Sequence, residues 1–252
     1  MAVALDELVA HANSYLAIDS IKDYCPNGLQ VQGRARVQKI VSGVTASLAL
    51  LQAALQADAD LVLVHHGYFW KNEPPSVVGM KQRRLQLLLG HDLNLAAYHL
   101  PLDVHLQVGN NVQLAVRLGI EVEGSLDPAD RSCPVVLGRL PEPMPARAFA
   151  ERVEQVLERS PLLVDGPRPV QRIGWCTGGG QGYIDQAIAA GVDLYLTGEA
   201  SEPTYHSAVE NKVAFIAAGH HATERYGVQA LGEYLAGHFG LEHQFIDINN
   251  PI

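Results

Sequence analysis

Three stretches of this chain end an apolar run on histidine: LVLVHH at 61–66, LAAYHLPLD at 95–103 and AFIAAGHHATE at 214–224. A single histidine at a strand end is ordinarily just a hydrogen-bonded residue of the fold. Three such ends, each with a second histidine or a carboxylate alongside, call for a chemical reason. Imidazole and carboxylate together make a donor set suited to first-row transition metals, and successive side chains of an extended chain point in opposite directions. His65 and His66 therefore do not readily hold one ion, but they can hold two ions that lie close together. His220 and Glu224 stand four apart at the start of a predicted helix, so they share a face on which the carboxylate can bridge two cations while the imidazole binds one. Asp103, in the exit segment of the second run, adds a terminal oxygen. The spacing thus selects His65, His66, Asp103, His220 and Glu224 as ligands of two divalent ions from among Zn, Fe, Mn, Co and Ni. Five protein ligands leave open positions for a catalytic water or hydroxide. His99, four residues before Asp103, falls outside this set and is the candidate catalytic acid or base; the rival roles are a sixth, weaker ligand or an orienter of Asp103.

Residues so far apart in sequence act together only if the architecture gathers strand ends. Strand-like runs at 39–47, 60–66, 94–99, 171–180, 191–199 and 212–221 alternate with helical patterns at 5–16, 47–58, 80–92, 109–119 and 223–240, the signature of an α/β fold. In open parallel sheets, ligands collect outside the carboxyl ends of the strands, where all three histidine motifs fall. The composition turns toward proline after about residue 125. The expected organisation is therefore a metal-binding α/β unit of residues 1–125 plus 211–252, with a smaller α/β unit, 126–210, inserted between. With 48% hydrophobic residues over 252 positions, the chain has ample material for a core. Its formal charge of -9 disfavours a generic polyanion partner, so nucleic acid is not indicated. No stretch approaches the roughly 18 apolar residues of a membrane span, and the opening MAVALDELVAHANSYL lacks the basic start and unbroken apolar core of a signal peptide. The expectation is a cytoplasmic protein with no membrane partner. Cys25, Cys133 and Cys176 are odd in number and widely spaced, which fits reduced thiols rather than a disulfide framework or a thiolate metal site.

The motifs LVHHGYFW, HLPLDVH and AAGHHATERYG, with NGLQVQG near the start and TGGGQ and YLTGE later, resemble the YbgI-like dinuclear metal-binding family, whose members are often called GTP cyclohydrolase 1 type 2 homologues. The resemblance covers nearly the whole chain. It implies two interlinked α/β units, a ring-shaped homohexamer with dinuclear sites facing an internal cavity, and GTP cyclohydrolase-like hydrolysis. The family's metal ligands fall on the five residues already selected, and a further histidine of its H-x-P-x-D segment falls on His99.

Other features carry two readings each. The glycines of CTGGGQGYIDQ, at 178–180, could cradle phosphate, but the G-K-[ST] ending of a P-loop is missing and a tight strand-to-helix turn explains them better. Tyr68, Phe69 and Trp70 could stack a flat ring or simply pack. Thr45 and Glu199 could stand behind the ligands or cap the next helix. Two function classes result. One is a dinuclear metal-dependent hydrolase acting on a nucleotide or related phosphorylated small molecule. The other is a metal-binding scaffold or regulatory protein without turnover.

Overall fold

The structure, a computed structural model, describes residues 2–252. The chain divides into two compact α/β units, one running to Gly109 and resuming over Gly227–Asn249, the other comprising Asn110–Tyr226 and Asn250–Ile252. The sequence places the borders near 125 and 210 and keeps the last histidine motif in the first unit. In the structure His220 and Glu224 belong to the second. Hydrophobic packing accounts for the difference. Leu114, Ala115 and Leu118 of helix Asn110–Leu118 are buried in a core with Phe149, Val153, Trp175 and Ala222, and Tyr226 packs against that same core.

The sheet of the first unit has strand order Glu242–Phe245, Lys39–Thr45, Leu61–His66, Asn94–Ala97, Gly28–Val31. The first four strands run parallel, and Gly28–Val31 closes the edge antiparallel. Strand Leu61–His66 lies inside the sheet and is buried on both faces, so it reads as a continuous apolar run. Leu61 and Leu63 join the core formed with Leu5, Leu8, Val228 and Leu231, whereas Val62 and Val64 join the opposite core with Leu50, Leu51 and Leu88. Continued past Val64, this alternation of period two would send His65 and His66 different ways.

The sheet of the second unit is ordered Glu121–Ser125, Val136–Met144, Val170–Cys176, Leu194–Thr197, Ala214–Ala217, Leu162–Val164. Three consecutive strands, Val170–Cys176, Leu194–Thr197 and Ala214–Ala217, run parallel, and the other three pair antiparallel. Trp175 is fully buried in it and donates its indole N–H to the carbonyl of Asn111 at 3.0 Å. Among the described residues no helix is long and apolar enough to cross a membrane.

Candidate metal centre

In the first unit, strand Leu61–His66 ends on the histidine pair, and the neighbouring strand Asn94–Ala97 is followed by Tyr98, His99 and the short helix Leu100–Asp103. This brings His65, His66 and His99 together, with ring centroids 4.5, 5.0 and 5.8 Å apart and one ligand atom from each within 4.8 Å of the others. The buried His65 ring is held by the contact of its Nδ1 with the carbonyl of Tyr98 at 2.9 Å. A carbonyl only accepts, so Nδ1 carries the hydrogen, and Nε2 faces Asp103 Oδ1, 3.4 Å away. His66 Nδ1 lies 3.3 Å from the hydroxyl of Thr45, its cross-strand partner, yet its ring stays 4.5 Å from that of His65, so past the strand end the two imidazoles lie closer than the alternation of the strand suggests.

In the second unit, strand Ala214–Ala217 leads to the short helix His220–Thr223, and Glu224 follows at the break before helix Arg225–Phe239. His220 Nδ1 lies 2.6 Å from Glu199 Oε1, and its Nε2 lies 3.3 Å from Glu224 Oε2. Burial resists a charge on this ring. The carboxylates of Glu224 and Glu199 on its two sides outweigh that effect and push its pKa up to about 9. Gly178 comes in beside the pair with φ +68°, and a Cβ there would sit 1.9 Å from Glu224 Oε1. The amides of Gly178 and Gly180 bond the hydroxyls of Thr223 and Thr197, both at 2.9 Å. These glycines let backbone approach the histidine and carboxylate, and two of their N–H groups are already taken up within the unit rather than offered to a phosphate.

Both donor sets fit a transition metal. Two donors bound at about 2.0–2.2 Å to one ion lie about 3–3.5 Å apart, the separation found between Nε2 and carboxylate oxygen in each unit. Each histidine is also gripped at Nδ1 from behind, as metal-binding imidazoles commonly are. Thr45 and Glu199 therefore stand behind His66 and His220 rather than serving only as caps.

Asp23, in the turn before strand Gly28–Val31, was not legible as a site residue. Its carboxylate meets His99 Nδ1 at 3.0 Å and accepts the backbone N–H of Leu100 at 2.9 Å and the amide of Asn27 at 2.9 Å. Burial alone would raise its pKa; the hydrogen bonds from His99, Asn27 and Leu100 win and hold it well below the usual carboxylate range. Asp23, Cys25 and His99 also offer ligand atoms within 4.8 Å of one another. That carboxylate is already filled by N–H donors, however, and burial followed by the nearby Asp23 charge pushes the Cys25 thiol up, away from the thiolate a metal needs. Of the aromatic trio, Tyr68 is buried with its hydroxyl on the carbonyl of Ala46 at 2.7 Å, and Phe69 is exposed beneath Lys81. Trp70 alone reaches the histidines, with its ring 5.0 Å from His99 and 6.0 Å from His66.

A model of the Duf34/NIF3 (NGG1p interacting factor 3) family matches residues 3–251. The chain belongs to that family. Among its NIF3 relatives is a Pseudomonas aeruginosa protein named GTP cyclohydrolase 1 type 2 homolog, 66% identical over 251 residues and matched over 100% of both chains. The solved structure of protein ybgI, of unknown function, is 52% identical with a TM-score of 0.95, covering 99% of this chain and 100% of the other. A crystal structure of TTHA1606 from Thermus thermophilus is 37% identical with a TM-score of 0.89, over 99% and 100% of the two chains. The expected resemblance and the α/β fold are both borne out by these NIF3 neighbours.

Proposed function

We propose that this protein is a dinuclear metal-dependent hydrolase whose two ions are held by His65, His66, Asp103, His220 and Glu224. One observation carries the reading. In each unit a histidine held at Nδ1 presents Nε2 to a carboxylate oxygen at the spacing of two ligands on one ion. Bound divalent ions would acidify water and polarise a scissile bond. The protein's own work is to hold the imidazoles in the binding tautomer through Tyr98 and Glu199, and to move a proton at His99. The substrate class is a nucleotide or related phosphorylated small molecule, supported by the name GTP cyclohydrolase 1 type 2 homolog that the Pseudomonas aeruginosa relative bears. Subunits assemble into a ring hexamer.

Elemental analysis of reconstituted protein tests the centre, with about two ions of Zn, Fe, Mn, Co or Ni expected per chain. One ion or none would sink the dinuclear reading. Turnover is tested on a panel of nucleotides and phosphoesters with metal-loaded and chelated protein. Metal-dependent hydrolysis supports the enzyme, and silence across the panel favours a metal-binding scaffold.

A further inference from the structure

The turn at 23–27, DYCPN, leads into strand Gly28–Val31, and its side chains converge on His99. Asp23 Oδ1 lies 3.0 Å from the ring Nδ1, and Asn27 Oδ1 accepts the backbone N–H of His99 at 2.7 Å. The Tyr24 ring meets the imidazole edge to face at 5.0 Å, and Trp70, 5.7 Å from Tyr24, meets it the same way at 5.0 Å. The backbone carbonyl of Tyr24 accepts the N–H of Lys71 at 2.9 Å, which ties the turn to the loop that carries Trp70. The ring plane of His99 is thus fixed by two aromatic side chains and its rotation by one carboxylate.

The carboxylate has a further effect. The Asp23 side chain is 4% exposed and takes N–H donors on both oxygens: Tyr24 N and the His99 ring on Oδ1, Leu100 N and Asn27 Nδ2 on Oδ2. Surrounded by donors, it has no proton of its own to give, so in the neutral ring the shared hydrogen must reside on His99 Nδ1. Nε2 is then a lone pair on the side of the ring away from Asp23, where His65 and His66 lie.

We propose that Asp23 is the positioning residue of His99: it fixes the Nδ1–H tautomer and aims Nε2 as a proton acceptor, so that the 23–27 turn is a working part of the site. Asp23 touches neither substrate nor ion and acts through the ring alone. The proposal rests on the reading of His99 as the proton carrier and fails separately from it, because the tautomer can be read in metal-free protein whatever the metal count or turnover.

The test is long-range proton–nitrogen NMR of the imidazoles in the full, metal-free chain at a pH where His99 is neutral, its signals identified by their loss in His99→Gln. The wild type should show one tautomer, Nδ1–H. In Asp23→Asn, the new amide can donate to Nδ1, so the pure Nδ1–H signature should be lost and Nε2–H signals should grow, while circular dichroism shows the fold retained. An Nε2–H tautomer in the wild type overturns the proposal, and that measurement stands even if the variant does not fold. A folded Asp23→Asn protein with an unchanged tautomer also overturns it.

Discussion

At the scale of single residues, small groups do the most to shape the donor sets. Gly178 shows why: its positive φ costs an L-residue roughly 1–3 kcal/mol, and a Cβ would collide with Glu224 Oε1 besides. Gly178→Ala should lower the melting temperature and reduce bound metal together, as measured by calorimetry and elemental analysis on one preparation; full metal content in a folded variant would contradict the close approach. Histidines outside the site set an acid limit. His105 lies with Nε2 3.2 Å from the Tyr15 carbonyl and with Nδ1 accepting the N–H groups of Gln107 and Val108. His243 bonds Ser42 through Nε2 at 2.7 Å. Burial lowers the pKa of both below the ordinary 6.5. Between those lowered values and 6.5 the unfolded chain holds more protons than the folded one, so stability should fall as pH drops through this window. His220, raised to about 9, contributes the opposite slope: its stabilisation is still growing as pH falls through 6.5 and levels off only once the unfolded ring is also protonated, so the fall from His105 and His243 is clearest in the lower part of the window. A melting temperature that is flat from pH 6.5 to 5, or as steep in His105→Gln as in the wild type, would count against this assignment.

Among the elements, the helix that follows the first parallel strand depends on its cap. The Ser47 side chain accepts the N–H of Leu50 at 3.2 Å at the start of helix Leu48–Gln56. Ser47→Ala should cost about 1 kcal/mol in a urea titration, with the slope unchanged. The buried elements were the legible ones. Runs such as LVLV and AFIA have no solvent face and announce themselves by composition, and because their ends carry histidine the donor residues could be read with them. Edge strands Glu121–Ser125 and Glu242–Phe245 escaped because they are polar and largely or partly exposed, so nothing in their pattern separates them from loops. Asp23 escaped for a related reason. A turn residue shows its role only through a partner 76 positions away, and no local periodicity records that pairing.

For the molecule as a whole, the reading of a ring hexamer predicts a solution mass near six times 27.3 kDa. Light scattering at low micromolar concentration measures it directly, and a particle with the mass of one chain refutes assembly. The interrupted course of the first unit has a consequence for how the protein is made. Its sheet needs strand Glu242–Phe245 beside Lys39–Thr45, so the unit cannot finish its sheet until the ribosome has delivered residue 245. Nearly all of the second unit, Asn110–Tyr226, has been synthesised before that strand exists. Nascent chains arrested on a C-terminal linker, so that Tyr226 has cleared the exit tunnel while Glu242–Phe245 is still inside it, should therefore resist protease across 110–226 while still being cut before Gly109, an order of maturation opposite to the order of synthesis.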